Sequence, residues 1–487
     1  MKLDRINHIL KEEAVALLDG LPNVTIKGIT YNSQEVKAGY LFFAIEGYQR
    51  DGHEYIQDAV GKGAVAVIGE QEDVEVSVPY IQVADGRRAL SIISDYYYGF
   101  PAADKTVIGV TGTNGKTTTG HLLKSMFEEG GVSCALFGST GNIVNKEKHP
   151  AGNTTPTLLE INRLLAVSDD EVVIVEVSSH ALTQHRVEGL VFDYALFTNL
   201  SHDHLDYHGS MDNYFAAKKK LFRMLKKNGK GVINTQNEWG EKLAGELRKE
   251  NTSIVSVGAG EDSDVSISEY DGEAGELHLR HNGKGIFLEP SVAGIHNMYN
   301  IAMAYSTVKL MGIEEETVAR AVAGFKGVEG RFSVHYLSGD RTVAVDYAHT
   351  PDALYHSLET VRSQCSGKFI HLFGFRGDRD EEKREEMITV SARMSDQYIL
   401  TLDDLNSISK EEMEQTLYEL QRRYGRENGE VIPDRTLAIE EALIRSGEKD
   451  WVVITGKGEE SYQQEYHYPA STDAETVFYL EKSITRR

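Results

Sequence analysis

An apolar run, TVIGVTGT, begins at Thr106 and leads into Gly112, Thr113, Asn114, Gly115, Lys116, Thr117 and Thr118, then into an amphipathic stretch through Met126. Strand, glycine loop and helix in this order form the context of a phosphate-binding loop. Glycines let backbone N–H groups approach phosphate oxygens, and the helix N-terminus favours their charge. Lys116 suits the β- and γ-phosphates, and the Thr117 hydroxyl suits Mg2+. Val110 stands where such loops usually carry their first glycine, so this is a shortened form. Two more polar clusters end apolar runs: Glu176 in EVSSH, and Asp203, His204, Asp206 and His208 in HDHLDYH. Carboxylates and imidazoles at strand ends suit Mg2+ or Mn2+. His204 and His208, four residues apart, also have zinc spacing, but no third nitrogen or sulfur ligand lies nearby in sequence.

These clusters need a frame that brings them together. Segments 171–179 and 194–201 are short apolar runs ending in polar residues. Their alternation with helical patterns predicts a mostly parallel sheet with helices on both faces and ligands at the carboxyl ends of its strands. Upstream, strands are predicted at 25–30, 41–45 and 65–69, a polar loop at 47–55, and a helix ending at Tyr96, Tyr97 and Tyr98. Gly99 and Pro101 set a domain boundary near Ala102, and residues 264–289 read as hairpins. After Arg331, TVAVDYA, KFIHLFGF, DQYILTL and DWVVITG predict the strands of a second, Rossmann-like α/β domain.

The 487 residues allow about three domains. With 51 basic and 75 acidic side chains the net charge is −24, which argues against nucleic-acid binding. Cys134 and Cys365 are too few for a disulfide framework, and their sparse use fits a reducing cytoplasm. No run approaches the roughly 18 apolar residues of a membrane span, so membrane insertion is not expected.

The strings DGHEYI, VTGTNGKTTT, NTTPTLLE, EVSSHALTQHRV, FTNLSHDHLDYHG, YFAAKKKLF, GIHNMYN, EGR, VDYAHTPDAL, RGDRDEEKR and TGKGEESYQ, in this order from about residue 29 to 463, resemble the Mur ligase family. The resemblance implies a three-domain α/β architecture: a UDP-substrate domain at 1–101, a central P-loop ATP domain at 102–330, and a Rossmann-like amino-acid domain at 331–487. It implies an ATP-dependent amide ligase of cytoplasmic peptidoglycan precursor synthesis. Its partners would be UDP-N-acetylmuramoyl-L-Ala-D-Glu and a free amino acid, joined through an acyl phosphate, with ATP and two Mg2+ sites. By the same resemblance Lys116, Lys218 and His204 are catalytic. ATP would be held by residues 112–118 with Asn297, Asn300, Arg331 and Asp346. Thr117, Glu176, His204 and Lys218, the last as a carbamate, would hold metal. Ser33, Tyr48, Gln49 and Arg50 match the uridine end, and Asn153, Thr154, Thr155, Ser178, Gln184 and Arg186 match the muramoyl-dipeptide contacts. Arg384, Asp403, Asp404, Asn406, Gly456 and Glu460 match the amino-acid site.

Three of these segments also have plain structural readings. Lys218, Lys219 and Lys220 read as a solvated helix face, HNMYN as a helix start, and Thr155-Pro156 as another. The sequence departs from the family at the amino-acid site. Diaminopimelate enzymes usually carry Asp-Asn-Pro-Arg, where this chain has Asp403, Asp404, Leu405 and Asn406. Gly-Lys-Gly-His-Glu becomes Gly456, Lys457, Gly458, Glu459 and Glu460. The arginine for a distal carboxylate is missing and two acids are added, which predicts a cationic or neutral side chain, lysine first. Gln34 follows Ser33 where arginine is common, which leaves a paralogue with another carboxylate acceptor, such as a folylpolyglutamate or specialised peptide, as the alternative. A non-catalytic P-loop protein would not need Lys218, Arg186 and Arg384 together.

Overall fold

The computed structural model describes residues 1–11, 14–15, 21–47, 50–272 and 274–484. The chain divides into two compact units, Met1–Thr111 with Val132–Ala195 and Ala217–Lys230, and Gly112–Gly131 with Leu196–Ala216 and Gly231–Arg487.

In the first unit, strands Gly28–Thr30, Tyr40–Ala44, Ala64–Gly69 and Tyr80–Gln82 pair in that order, all parallel. Successive side chains of a strand face opposite ways. Leu41 and Phe43 therefore join one core with Leu3, Ile6, Ile68 and Ile81, while Phe42 and Ala44 join another with Ile56, Ala59 and Val67. Burial on both faces explains why these strands read as continuous apolar runs. The strand predicted at 25–30 is shorter, because Thr25 makes only an isolated bridge to Lys2. The loop predicted at 47–55 contains a 3-10 turn, Gly52–Tyr55, capped by the Asp51 side chain on His53 N–H. Helix Gly86–Tyr98 is capped by Asp85 and stopped by Gly99 at φ +73°. Beyond it, Thr106–Thr111 pairs parallel with Val172–Glu176, which pairs parallel with Cys134–Gly138. The predicted helix start at Thr155-Pro156 falls two residues early. Helix Leu158–Leu165 begins after Thr157, whose hydroxyl and Glu160 close a capping box.

In the second unit, helix Lys116–Glu129 packs against Ile295–Leu310. Strands Val265–Asp271, Glu276–His281 and Lys284–Leu288 form the predicted antiparallel hairpins. The C-terminal sheet runs in the order Ser333–Leu337, Arg341–Val345, Trp451–Ile454, Phe369–Phe375, Gln397–Leu402 and Gly429–Val431, parallel except for its first hairpin. Its last strand in sequence inserts between two earlier ones, the topological switch at which such sheets bind ligands. Asp346, Arg376, Asp403 and Gly456 follow the carboxyl ends of four neighbouring strands. No helix among the described residues is long and apolar enough to cross a membrane.

Candidate active site

The phosphate loop is fixed from two sides within the second unit. Gly115 has φ +83°, and a Cβ there would lie 2.5 Å from Asn300 Oδ1, so both conformation and space require glycine. Asn199 accepts from Asn114 N–H through Oδ1 at 2.9 Å, donates to Asn114 O through Nδ2 at 3.2 Å, and accepts from Thr113 N–H through its own carbonyl at 3.0 Å. Thr198 Oγ1 also donates to Asn114 O. Lys116 Nζ donates to Gly112 O at 2.9 Å and Thr113 O at 2.7 Å, curling over the loop at the helix N-terminus. Thr117 is buried in the first helical turn and Thr118 follows it, half-buried. Asn300 accepts from Thr119 Oγ1 at 3.2 Å and donates to Asn297 Oδ1 at 3.3 Å, while Asn297 Nδ2 donates to Ala293 O. The two asparagines therefore tie the loop's helix to its neighbour, a role the plain helix-start reading did not contain.

Asp203 is a buried hub beside His204, which sits at φ +55°. Lys383 Nζ donates to Asp203 at 2.8 Å, with His204 and His349 nitrogens at 3.3 and 3.5 Å. Burial alone would raise this carboxyl, but His204, His349 and Lys383 hold it well below the usual carboxylate range. His202 pairs with Asp380 at 2.9 Å. His208 stacks on Tyr214.

The first unit holds a second polar cluster. Glu176 is fully buried at its strand end and accepts from Ser139 N–H at 3.1 Å and Ser139 Oγ at 3.2 Å. Ser139 Oγ also lies 3.2 Å from Thr154 Oγ1. Thr155 Oγ1 donates to Glu176 O at 2.7 Å and accepts from Ser178 N–H at 3.0 Å. Arg186 donates to Thr155 O at 3.2 Å and, through Nε and Nη2, to Gln184 Oε1 at 3.0 and 2.7 Å. Asn153 is exposed at the edge of this group. Lys218 is 1% exposed on helix Met211–Arg223. The solvated-face reading therefore fits exposed Lys220 and fails for Lys218. Of the residues expected to meet the uridine, Ser33 is buried and its carbonyl accepts from Lys62 Nζ at 3.2 Å, while Arg50 is exposed. Tyr48 and Gln49 lie outside the described residues. Of the four expected metal ligands, Thr117 and His204 belong to the second unit, Glu176 and Lys218 to the first.

The C-terminal sheet gathers the residues expected at the amino-acid site, with Arg331 and Asp346 of the expected ATP set beside them. Arg376 stacks over Tyr347, pairs with Glu460 and lies 3.8 Å from Asp403. Arg331 stacks over the same ring at 4.0 Å. Asp346 accepts from Phe332 and Tyr347 N–H at 3.1 and 2.7 Å, yet burial pushes its carboxyl up. Arg384 is buried, 3.0 Å from Glu381, and donates to Arg376 O. Lys457 lies 2.5 Å from Asp404 and 3.5 Å from Asp403, all three buried. Lys457 is therefore the partner of Asp404, one of the two added acids. Burial raises Asp403, but Arg376, Arg435 and Lys457 bring it below the usual range; burial and Asp403 together raise Asp404. Asn406, at φ +52°, donates to Gly377 O at 2.5 Å. Gly456 has φ +109°, and a Cβ there would crowd Asp403 Oδ2.

Below this pocket, fully buried Arg435 makes a two-pronged pair with Asp473 at 2.7 Å and donates to Thr455 O at 2.9 Å. Arg435→Met would strand a buried carboxylate and should cost about 3–5 kcal/mol. Chemical denaturation reads that loss, and adding Asp473→Leu should recover most of it.

Three family models match in succession: the Mur ligase family catalytic domain over residues 25–98, the Mur ligase middle domain over 110–308, and the Mur ligase glutamate ligase domain over 330–458. The chain is 39% identical over 458 residues to the UDP-N-acetylmuramoyl-L-alanyl-D-glutamate--2,6-diaminopimelate ligase of Aquifex aeolicus, covering 93% of each chain. This chain belongs to the Mur ligase family. The enzyme of the same name from Syntrophomonas wolfei is 36% identical, over 94% of this chain and 95% of its own. A solved structure of a ligase of that name superposes with TM-score 0.67 at 27% identity and full coverage of both chains. The chain is accordingly an ATP-dependent amide ligase with the three-domain Mur ligase architecture of mixed α/β sheets.

Within this Mur ligase, sequence reasoning missed the residues that hold others in place. Thr198 and Asn199 on the loop, Ser139 on Glu176, and Lys383 on Asp203 all lie in or beside recognised strings or strand ends, and that position was the available signal. Arg435 and Asp473 lie in no motif and carry no such signal.

Proposed function

We propose that this Mur ligase joins a free amino acid to the carboxylate of UDP-N-acetylmuramoyl-L-Ala-D-Glu, in cytoplasmic assembly of a peptidoglycan precursor, with domain limits near residues 102 and 330. A carboxylate oxygen attacks the γ-phosphorus of ATP and ADP leaves. The amine then attacks the acyl carbon, loses a proton, and phosphate departs with one former carboxylate oxygen. Residues 112–118 take the phosphates through the backbone N–H groups of the loop and first helical turn that Asn199 does not occupy, together with the Lys116 ammonium, and preorganised positive charge of this kind lowers such barriers most. Asn297, Asn300, Arg331 and Asp346 take the adenosine end. Ser33, Tyr48, Gln49 and Arg50 take the uridine, and Asn153, Thr154, Thr155, Ser178, Gln184 and Arg186 the muramoyl dipeptide.

Mg2+ suits the donors present. The Thr117 hydroxyl, the buried Glu176 carboxylate and the His204 imidazole, fixed beside Asp203, are hard or borderline ligands. Each of these, and a carbamate on Lys218, is a candidate ligand for Mg2+. Bound there, Mg2+ would neutralise phosphate oxygens.

The observation that carries the reading is the fixed glycine loop on helix Lys116–Glu129, in a chain with Arg376, Asp403 and Gly456 after neighbouring strand ends of its C-terminal sheet and Arg384, on the helix Lys383–Met394, donating to Arg376 O. Arg384 grips the α-carboxylate. Around the side chain, three carboxylates (Asp403, Asp404 and Glu460) meet two cations (Arg376 and Lys457), leaving one net negative charge. Asn406 is committed to Gly377 O. This favours a cationic side chain, lysine first, with diaminopimelate as the competitor named by the relatives. Mass analysis of the nucleotide product, with each amino acid supplied in turn, tests the reading. Turnover of diaminopimelate equal to or above lysine would refute the preference, and ATP turnover that needs neither partner would refute the function.

Asn406→Arg should raise the diaminopimelate-to-lysine ratio of kcat/KM by roughly tenfold, because it supplies a carboxylate partner. The left-handed backbone at 406 makes arginine less comfortable than asparagine, so the ratio rather than absolute turnover is the readout. An unchanged ratio would discredit the pocket assignment.

A further inference from the structure

His185 lies between Gln184 and Arg186, the two side chains assigned to the acceptor, and no part of the reaction uses it. Helix Ser179–Thr183 ends there: Arg186 N–H reaches back to Ala181 O at 3.0 Å, and His185 takes the left-handed position at φ +53°. Glycine or asparagine usually fills that position, and histidine pays about 1–2 kcal/mol for it. Its side chain is engaged on both ring nitrogens. Nδ1 is 3.3 Å from Glu188 Oε2 and Nε2 is 3.6 Å from Asp85 Oδ2. Its carbonyl accepts from Ser91 Oγ at 2.9 Å. Asp85 caps helix Gly86–Tyr98 and Ser91 is buried on it, so the turn carrying Arg186 is strapped to that helix by one neutral hydrogen bond and one titratable contact.

We propose that His185 is a positioning residue for the acceptor: when protonated it fastens the turn that presents Arg186, and acceptor affinity falls as pH rises and the fastening is lost. The proposal rests on the acceptor assignment above. The groups facing the ring are Glu188 from its own turn, Asp85 and Arg88 at the start of helix Gly86–Tyr98, and Lys220 from helix Met211–Arg223. The hydrogen bond to Glu188 raises the imidazole above its usual value and outweighs burial and Lys220, while Arg88, 3.5 Å from Glu188, dilutes that carboxylate. A raised folded-state value means the contact is complete at low pH, persists above the ordinary histidine range, and is lost as pH climbs through the raised value. Below that point the turn is already ordered. Above it, binding must supply the ordering and affinity drops.

Calorimetric titration of UDP-N-acetylmuramoyl-L-Ala-D-Glu into the full chain, without ATP, from about pH 6 to about pH 9 tests this. Wild type should weaken about threefold across the range relative to His185→Asn, the scale of a partly exposed ion pair. His185→Asn suits the left-handed backbone and should bind about threefold more weakly at low pH, with no histidine-dependent change. His185→Arg should stay tight throughout, and ATP affinity should be equal in all three. Parallel profiles for wild type and His185→Asn would overturn the proposal. No acceptor binding by any of the three would overturn the acceptor assignment and the proposal with it.

Discussion

Lys116→Ala should fold normally and fail to transfer phosphate, with phosphate release down roughly a hundred- to thousandfold. The ammonium reaches back over the loop to Gly112 O and Thr113 O, at the N-terminus of helix Lys116–Glu129. Negative charge accumulates on the γ-phosphoryl and on ADP as the bond breaks, and the helix end with one lysine is the positive charge placed for it. The loop's shape does not depend on this lysine alone. Asn199 and Thr198 grip Thr113 and Asn114 from the facing strand end, and Gly115 is seated against Asn300. Circular dichroism and the thermal midpoint should therefore stay near wild type while single-turnover ADP formation collapses. Retention of more than about a tenth of the rate would remove Lys116 from the centre of the account.

Lys218→Ala should lose most activity, and added bicarbonate should not restore it. Its neighbour Lys220 is exposed, so a lysine needed only for solubility or a helix surface had an available place two residues away, whereas Lys218 is 1% exposed. Addition of CO2 to its neutral amine would turn a cation into an anionic oxygen donor, which a hard metal ion prefers. Alanine has no nitrogen to carbamylate, so bicarbonate distinguishes a missing lysine from a CO2-starved enzyme. A carbamate signal from labelled bicarbonate should appear in wild type and vanish in Lys218→Ala, with Lys220→Ala unchanged. Near-normal turnover in Lys218→Ala would contradict the role.

Much of this was legible in the chain because the fold concentrates chemistry where strands end. TVIGVT, VVIVE and FIHLFGF are buried on both faces and read as largely apolar segments, so the polar residues that follow them stand out. Orientation was not legible. KKK looks like a solvated face, and only the helix's seating shows that Lys218 turns inward while Lys220 turns out. TTP looks like a helix start, but Thr155 spends its hydroxyl on Glu176 O and Ser178 N–H and leaves the cap to Thr157. Charge pairing between distant segments was equally hidden. Asp404 reads as surplus until Lys457, 53 residues further on, is found against it. Arg435 and Asp473 meet across 38 residues with nothing local to announce them.

The central claim is that ATP activates the acceptor's carboxylate before nitrogen arrives. The most direct measurement supplies the UDP-dipeptide with heavy oxygen in its reacting carboxylate, together with ATP and the preferred amino acid, and reads inorganic phosphate by mass. One heavy oxygen should appear in each phosphate released, in step with the new amide. Amide formed alongside phosphate of ordinary mass would mean that no acyl phosphate was made, and the account would not stand.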